Sequence, residues 1–214
     1  MSNQKIVLTL GANGRIARHV VSALADSDGV HQRLFVRNAA KLTDVPANAE
    51  VVVGDATDEA SLRAAVRGAD VVYANLTGDD IDVQGERVVA ALQAEGVRRL
   101  IFVASLGIYD EVPGAFGEWN RAIIGEPLKP FRRAADAIEA SGLDYTILRP
   151  GWLDDEAAIS YEVTEKGEAF RGTVVSRPSV AALITAIIND PALHSKGNIG
   201  VDRPGTDGPK PYFM

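Results

Sequence analysis

Two glycines three residues apart, Gly11 and Gly14, stand between the apolar run Ile6-Val7-Leu8-Thr9-Leu10 and a segment that places Ile16, Val20, Val21 and Leu24 on one helical face. Glycine lets a backbone bend sharply and come close to a ligand. The free N–H groups of a helix start then favour negative charge at that bend. The ligand that fits is a diphosphate, held by Gly11, Asn13, Gly14 and Ile16, with Arg15 adding a positive charge. The spacing is Gly-x-x-Gly-x-x-Ala, and a turn of that kind also joins ordinary strands to helices. Its place, after a first strand and opening a first helix, is the one a dinucleotide fingerprint requires.

Further along, Phe35-Val36-Arg37-Asn38 ends a second apolar run. In a dinucleotide-binding fold an acidic residue here suits the ribose of NAD, and an arginine suits the 2′-phosphate of NADP. Arg37 therefore points to NADP, with NAD the weaker alternative; the bland reading of Arg37 is a solvated surface arginine. Asp55 and Ala56 close a third run, where the carboxylate is either an acceptor for the adenine amino group or a helix cap, and Ala56 leaves room for the ring. Asn75 and Leu76 end a fourth run, at the edge where such sheets bind ligands, with Asn75 either a turn former or a ligand contact.

These residues need a scaffold of alternating strands and helices. Strands are predicted at 5–10, 32–37, 49–54, 70–76, 99–105 and 145–149, all rich in Val, Ile, Leu and Phe with little polar alternation. Helices are predicted between them: one capped by Thr57 or Asp58 and ending near Gly68, one over 81–95, and one over 130–140. A later apolar stripe, Val180, Leu183, Ile184, Ile187 and Ile188, gives another helix, stopped by Asn189-Asp190-Pro191. The alternation predicts an α/β fold with a doubly wound parallel sheet. The Pro/Gly-rich tail, 203–211, holds neither helix nor central strand; it is either loose or laid along the body with Tyr212 and Phe213 as anchors.

Bulk properties exclude several classes. The 214 residues carry a formal charge of −7, so there is no basic footprint for nucleic acid. No apolar run reaches the length of a membrane span. Cysteine is absent, which removes disulfide and thiol chemistry and fits a reducing compartment. Met1-Ser2-Asn3-Gln4-Lys5 leads straight into the first strand with no signal-peptide core. The expectation is a cytoplasmic protein, monomer or homodimer. His19, His31 and His194 are scattered and have no metal-ligand spacing.

Several segments resemble the NmrA-like members of the atypical short-chain dehydrogenase/reductase family. They are Gly11-Ala12-Asn13-Gly14, Val36-Arg37, Val53-Gly54-Asp55, Phe102-Val103-Ala104-Ser105, Val175-Ser176-Arg177-Pro178-Ser179-Val180-Ala181 and, most specific, Ser141-Gly142-Leu143-Asp144-Tyr145-Thr146-Ile147-Leu148-Arg149-Pro150-Gly151. The resemblance implies one NAD(P)-binding Rossmann domain over 1–214, with about 152–180 and 203–214 forming a small substrate lobe and tail. It also implies that Pro150, Gly151 and Trp152 lie near the nicotinamide, and that Ser105 stands where the family keeps a catalytic serine.

The chain departs from the catalytic members in one respect. Their Tyr-x-x-x-Lys pair is absent: no tyrosine has a lysine four residues on, and the two expected positions hold Pro127 and Phe131. Ser105 remains as a donor to a substrate carbonyl, or as a hydroxyl tied to backbone. Tyr109 is a second proton source if its loop folds back, or else a packed aromatic, and Lys129 or Arg132 could replace the missing positive charge. Residues 107–119 offer an apolar covering suited to a flat substrate, or a satellite cluster under a long loop. Two functions follow: an NADP-dependent oxidoreductase passing hydride to a quinone, flavin or small carbonyl acceptor, which relies on placement more than on a strong acid, and a non-catalytic NADP(H) sensor acting through protein partners.

Overall fold

The structure is a computed structural model and describes residues 4–214. The reading of Met1-Ser2-Asn3 as a direct lead into the first strand lies outside the described residues. The elements run β1 (Lys5–Leu10), α1 (Arg15–Ala23), β2 (Val30–Val36), β3 (Ala49–Val53), α2 (Glu59–Val66), β4 (Val71–Ala74), α3 (Ile81–Glu95), β5 (Arg99–Val103), α4 (Gly114–Ala140), β6 (Asp144–Pro150), β7 (Trp152–Asp154), β8 (Glu162–Thr164), β9 (Val174–Ser176), α5 (Arg177–Asn189) and β10 (Gly197–Asp202). The main sheet has the order β3-β2-β1-β4-β5-β6-β10-β8, parallel except for β8, which pairs antiparallel with β10. This is the doubly wound Rossmann-like arrangement, with its switch point between β1 and β4.

Both faces of the sheet are covered, which is why its strands read as continuous apolar runs. On one face α2, α3 and α4 bury Leu62, Val88, Leu92 and Ile138 against Leu8, Val72 and Phe102. On the other, α1 and α5 bury Ile16, Val20, Leu183 and Ile187 against Val7, Tyr73 and Ile101. The short strands β7 and β9 pair with each other beside the sheet.

Two elements differ from the sequence reading. The helix expected over 130–140 begins at Gly114 and contains both Pro127 and Pro130. Each proline removes one amide donor. The carbonyls left over belong to Ile123 and Glu126, which are exposed residues, so water can serve them. The second difference is β10, a seventh parallel strand that the sequence reading did not include. The Pro/Gly tail lies along the body: Thr173 donates to the Thr206 carbonyl at 2.6 Å and the Tyr212 hydroxyl donates to Asp154 at 2.9 Å. The rings of Tyr212 and Phe213 nevertheless stay exposed, while Pro211 is buried.

A buried ion pair fixes the loop after β5. Arg149 on β6 is fully buried and pairs with Glu111, and its Nε donates to Asn198 Oδ1 of β10 at 2.9 Å. The Glu111 carboxylate also accepts from the amides of Gly107 and Tyr109, at 3.0 and 2.9 Å. Removing one member of a buried pair leaves the other uncompensated. Glu111→Ala is therefore expected to destabilise the protein by about 3–5 kcal/mol in urea unfolding; a loss under about 1 kcal/mol would contradict the role given to the pair.

Candidate functional site

The carboxyl ends of β1 to β5 open into a cleft of about 560 Å³. Its centre is the turn after β1. Gly11 adopts φ +74°, and a Cβ there would lie 2.4 Å from the Asn75 carbonyl oxygen. Gly14 has an ordinary φ, but its Cβ would lie 1.9 Å from Asn75 Nδ2. The end of β4 thus presses directly on the turn. Asn75 is in turn fixed by its own amide, which donates to the Leu10 carbonyl at 2.9 Å, and by the hydroxyl of buried Tyr73, which donates to its Oδ1 at 3.1 Å. Burial pushes the Tyr73 phenol well above its usual range, so it stays a donor.

The amides of the turn divide into two sets. Those of Gly11 and Ala12 donate to the Phe35 carbonyl, and that of Gly14 donates to the Gly11 carbonyl. Those of Asn13, Arg15 and Ile16 have no partner among the described residues, and α1 has no side-chain cap and no acidic residue in its first turn. Unpaired helix-start amides lining a cleft are an anion site.

One end of the cleft is cationic. Arg37 and Lys41 line it, both are exposed, and neither is ion-paired among the described residues. Asn38 accepts from the Ala40 amide at 2.9 Å and starts the turn that carries Lys41. Arg18 braces that turn by donating to the Lys41 and Asn13 carbonyls at 3.3 and 3.1 Å. Asp55 accepts from the amide and hydroxyl of Thr57, at 2.8 and 2.7 Å, and these bonds hold its carboxyl below the usual range. The cap of α2 is Asp58 rather than Asp55 or Thr57. Ala56, Phe35 and Thr57 complete this end.

Of the residues expected to bind a cofactor, Gly11, Asn13, Gly14, Arg15, Ile16, Arg37, Asp55, Ala56, Asn75 and Leu76 converge on the cleft. Ser105, Pro150, Gly151 and Trp152 are not among its lining residues. The Ser105 hydroxyl donates to the Leu106 carbonyl at 3.3 Å. The Gly151 amide donates to the Val201 carbonyl at 2.9 Å. Trp152 Nε1 donates to Asn120 Oδ1 at 2.9 Å, and its ring lies 4.9 Å from that of Trp119, beside the cluster of Leu106, Val112, Phe116 and Phe170.

Of the two readings of Tyr109, the structure places it as a packed aromatic, outside the cleft lining. The Tyr109 hydroxyl accepts from Asn198 Nδ2 at 2.9 Å, and Arg132 and Lys166 cover its ring. Burial and the nearby Glu139 push the phenol up to about 12. Tyr109 belongs to the polar network of Glu111 and Arg149, outside the cleft, because the loop after β5 is drawn onto β10. Lys129 and Arg132 line a separate groove beside α4, where Lys129 pairs with Glu126 and Arg132 with Asp136. The helical start of α4 at Gly114 also moves Phe116 and Trp119 off the expected covering loop.

Several cleft residues were not expected from sequence. Lys41 follows Arg37 by four residues, a spacing that could have been read. Phe131, Leu153 and Arg177 reach the cleft from α4, β7 and α5, elements that only the fold brings together.

A family described as NAD(P)H-binding matches residues 11–191. The chain belongs to this NAD(P)H-binding family. A Rossmann-fold NAD(P)-binding family protein from Shigella flexneri is 55% identical, with TM-score 0.86 over 99% of this chain and 100% of that one. A short-chain dehydrogenase/reductase from Veillonella parvula, solved in complex with NADP, is 28% identical, with TM-score 0.88 over 98% and 99%. Among curated relatives, the (4-alkanoyl-5-oxo-2,5-dihydrofuran-3-yl)methyl phosphate reductase of Streptomyces griseus is 34% identical over 145 residues, 68% of this chain. The chain spans just under half of that reductase's length, 47%. No helix among the described residues is long and apolar enough to cross a membrane.

The contact of Asn75 with the turn gives a direct test. Gly14→Ala is expected to lower stability by about 1–3 kcal/mol, as overpacking does. In an Asn75→Ala background most of that loss should vanish, because the clashing amide is gone. Equal losses in both backgrounds, measured by thermal unfolding, would show that Asn75 does not set the requirement for glycine.

Proposed function

We propose that the protein binds NADP(H) in this cleft and is an oxidoreductase that passes hydride to a small flat or carbonyl acceptor. The observation that carries the reading is the pair of unmet needs at the site: among the described residues, three turn amides have no acceptor and, beside them, two cations form no ion pair. A diphosphate with an adjacent phosphomonoester satisfies both. Asn13, Arg15 and Ile16 would hold the diphosphate, Arg37 and Lys41 the 2′-phosphate, and Asp55 with Ala56 and Phe35 would border the adenine. When bound, the nicotinamide supplies the hydride.

The remaining residues suit orientation more than proton transfer. Leu76, Phe131 and Leu153 give the cleft apolar walls, and the family resemblance implies a lysine near Phe131 in the catalytic members. An apolar wall excludes water and aligns a flat acceptor, which is the larger need in hydride transfer. The reductase from Streptomyces griseus, named for an unsaturated ring substrate, supports an acceptor of this kind.

A second reading, an NADP(H) sensor that acts through protein partners, draws support from one observation. The Ser105 hydroxyl and the Tyr109 phenol are both engaged by the protein itself.

One experiment addresses cofactor and activity together. Titration with NADPH and NADH should show Arg37→Ala weakening NADPH about ten- to a hundredfold while leaving NADH nearly unchanged, the size of a charged hydrogen bond. Equal losses for both would remove Arg37 from the phosphate. The same preparation, given NADPH with flavins, quinones and conjugated carbonyl compounds, should oxidise it well above background; tight binding without turnover on any acceptor favours the sensor.

A further inference from the structure

Arg15 and Arg177 come from opposite ends of the chain, one opening α1 and the other opening α5. Both line the cleft that holds the amide turn. They also share a partner. Arg15 donates to Oδ2 of Asp155, and Arg177 Nη1 donates to Oδ1 of the same carboxylate at 2.9 Å. Asp155 has no other partner among the described residues, and its side chain is 56% exposed. Two guanidinium groups that line the cleft thus share one anion, and that anion belongs to the protein. Together they hold the Asp155 carboxyl below its usual range.

The two arginines are not equally free. Arg177 is only 13% exposed and also donates to the Asp154 carbonyl at 3.1 Å, so its guanidinium is held in place without Asp155. Asp154 is anchored by Arg203 at 3.2 Å and by the Tyr212 hydroxyl at 2.9 Å. Only the Asp155 side chain need move for both guanidinium groups to face a ligand. A carboxylate spanning two arginines presents its two oxygens much as a phosphate does, and the arginine fork accepts either. An exposed carboxylate pair is a weak contact, and a phosphate in a cleft with converging amides is a stronger one.

We propose that Arg177 is a diphosphate ligand of the dinucleotide site and that Asp155 is a resident carboxylate which the incoming diphosphate displaces. The inference rests on the dinucleotide reading of the cleft. It gives the segment after β7 a part in binding: Asp155 ties Arg15 to the already anchored Arg177 while no ligand is bound, and competes with the ligand for both.

The test is calorimetric titration of NADPH and NADH into wild type, Asp155→Asn and Arg177→Gln, with melting temperatures as a control. Asp155→Asn removes the competing charge and should tighten both dinucleotides about three- to tenfold. Arg177→Gln should weaken both by about tenfold or more. The effects should be equal for the two dinucleotides because the diphosphate is common to them, in contrast to Arg37. Weaker or unchanged binding by Asp155→Asn overturns the proposal and makes Asp155 a clamp or a bystander. An effect confined to NADPH overturns it as well, since that assigns the arginines to the 2′-phosphate. Should Arg177→Gln melt early, Asp155→Asn decides alone. A wild type that binds neither dinucleotide removes the underlying reading together with this one, whereas normal wild-type binding with an unresponsive Asp155→Asn removes this one only.

Discussion

Gly11 and Gly14 rest against Asn75 with no room for a methyl group at either position. The cleft depends on that contact. Because β4 pairs with β1 in parallel register, Ala74 opposite Leu10, the residue that follows β4 lies directly against the turn. Asn75 then closes the turn from below while its amide and side chain are bonded to Leu10 and Tyr73. The turn is held in place, and the amides of Asn13, Arg15 and Ile16, residues that line the cleft, have no acceptor among the described residues. Preorganised donors of this kind need no rearrangement when an anion arrives.

The other half of the arrangement is how the sheet delivers charge. The strand order places the ends of β2 and β3 on one side of the turn and those of β4 and β5 on the other. Arg37 and Lys41 gather on the first side, and the apolar residues Leu76 and Phe131 on the second. A chain with a formal charge of −7 therefore presents a cationic end within one cleft. That local field, rather than the overall charge, governs which anion is attracted. Leu153 and Arg177 bring the last third of the chain to the same cleft, so the C-terminal segments line it as well as building the core.

Much of this was legible in the sequence for physical reasons. A strand buried on both faces must be apolar throughout, and a helix covering it must be striped, so β1 and α3 were read with their observed bounds. The turn was legible because only glycine tolerates its close approach. What escaped the reading depends on contacts distant in sequence. The strand β10 contains Gly197, Asn198 and Gly200, poor strand formers, and it is accommodated because the Phe170 ring packs where a Cβ of Gly200 would stand. The long α4 passes through two prolines that local rules treat as breaks. The two readings of Tyr109, proton source or packed aromatic, could not be separated in sequence because Glu111, Arg149 and Asn198 hold its loop, and no local pattern announces that network.

The central claim is that the turn amides are the anchor for a dinucleotide. Amide proton and nitrogen shifts, followed by two-dimensional NMR as NADPH is added, report on it residue by residue. The account predicts saturable shifts, largest at Asn13, Arg15 and Ile16, with Arg37 and Lys41 next and the Tyr109 network little changed. Saturable shifts that leave those three amides untouched, or no shifts anywhere at millimolar NADPH, would contradict it.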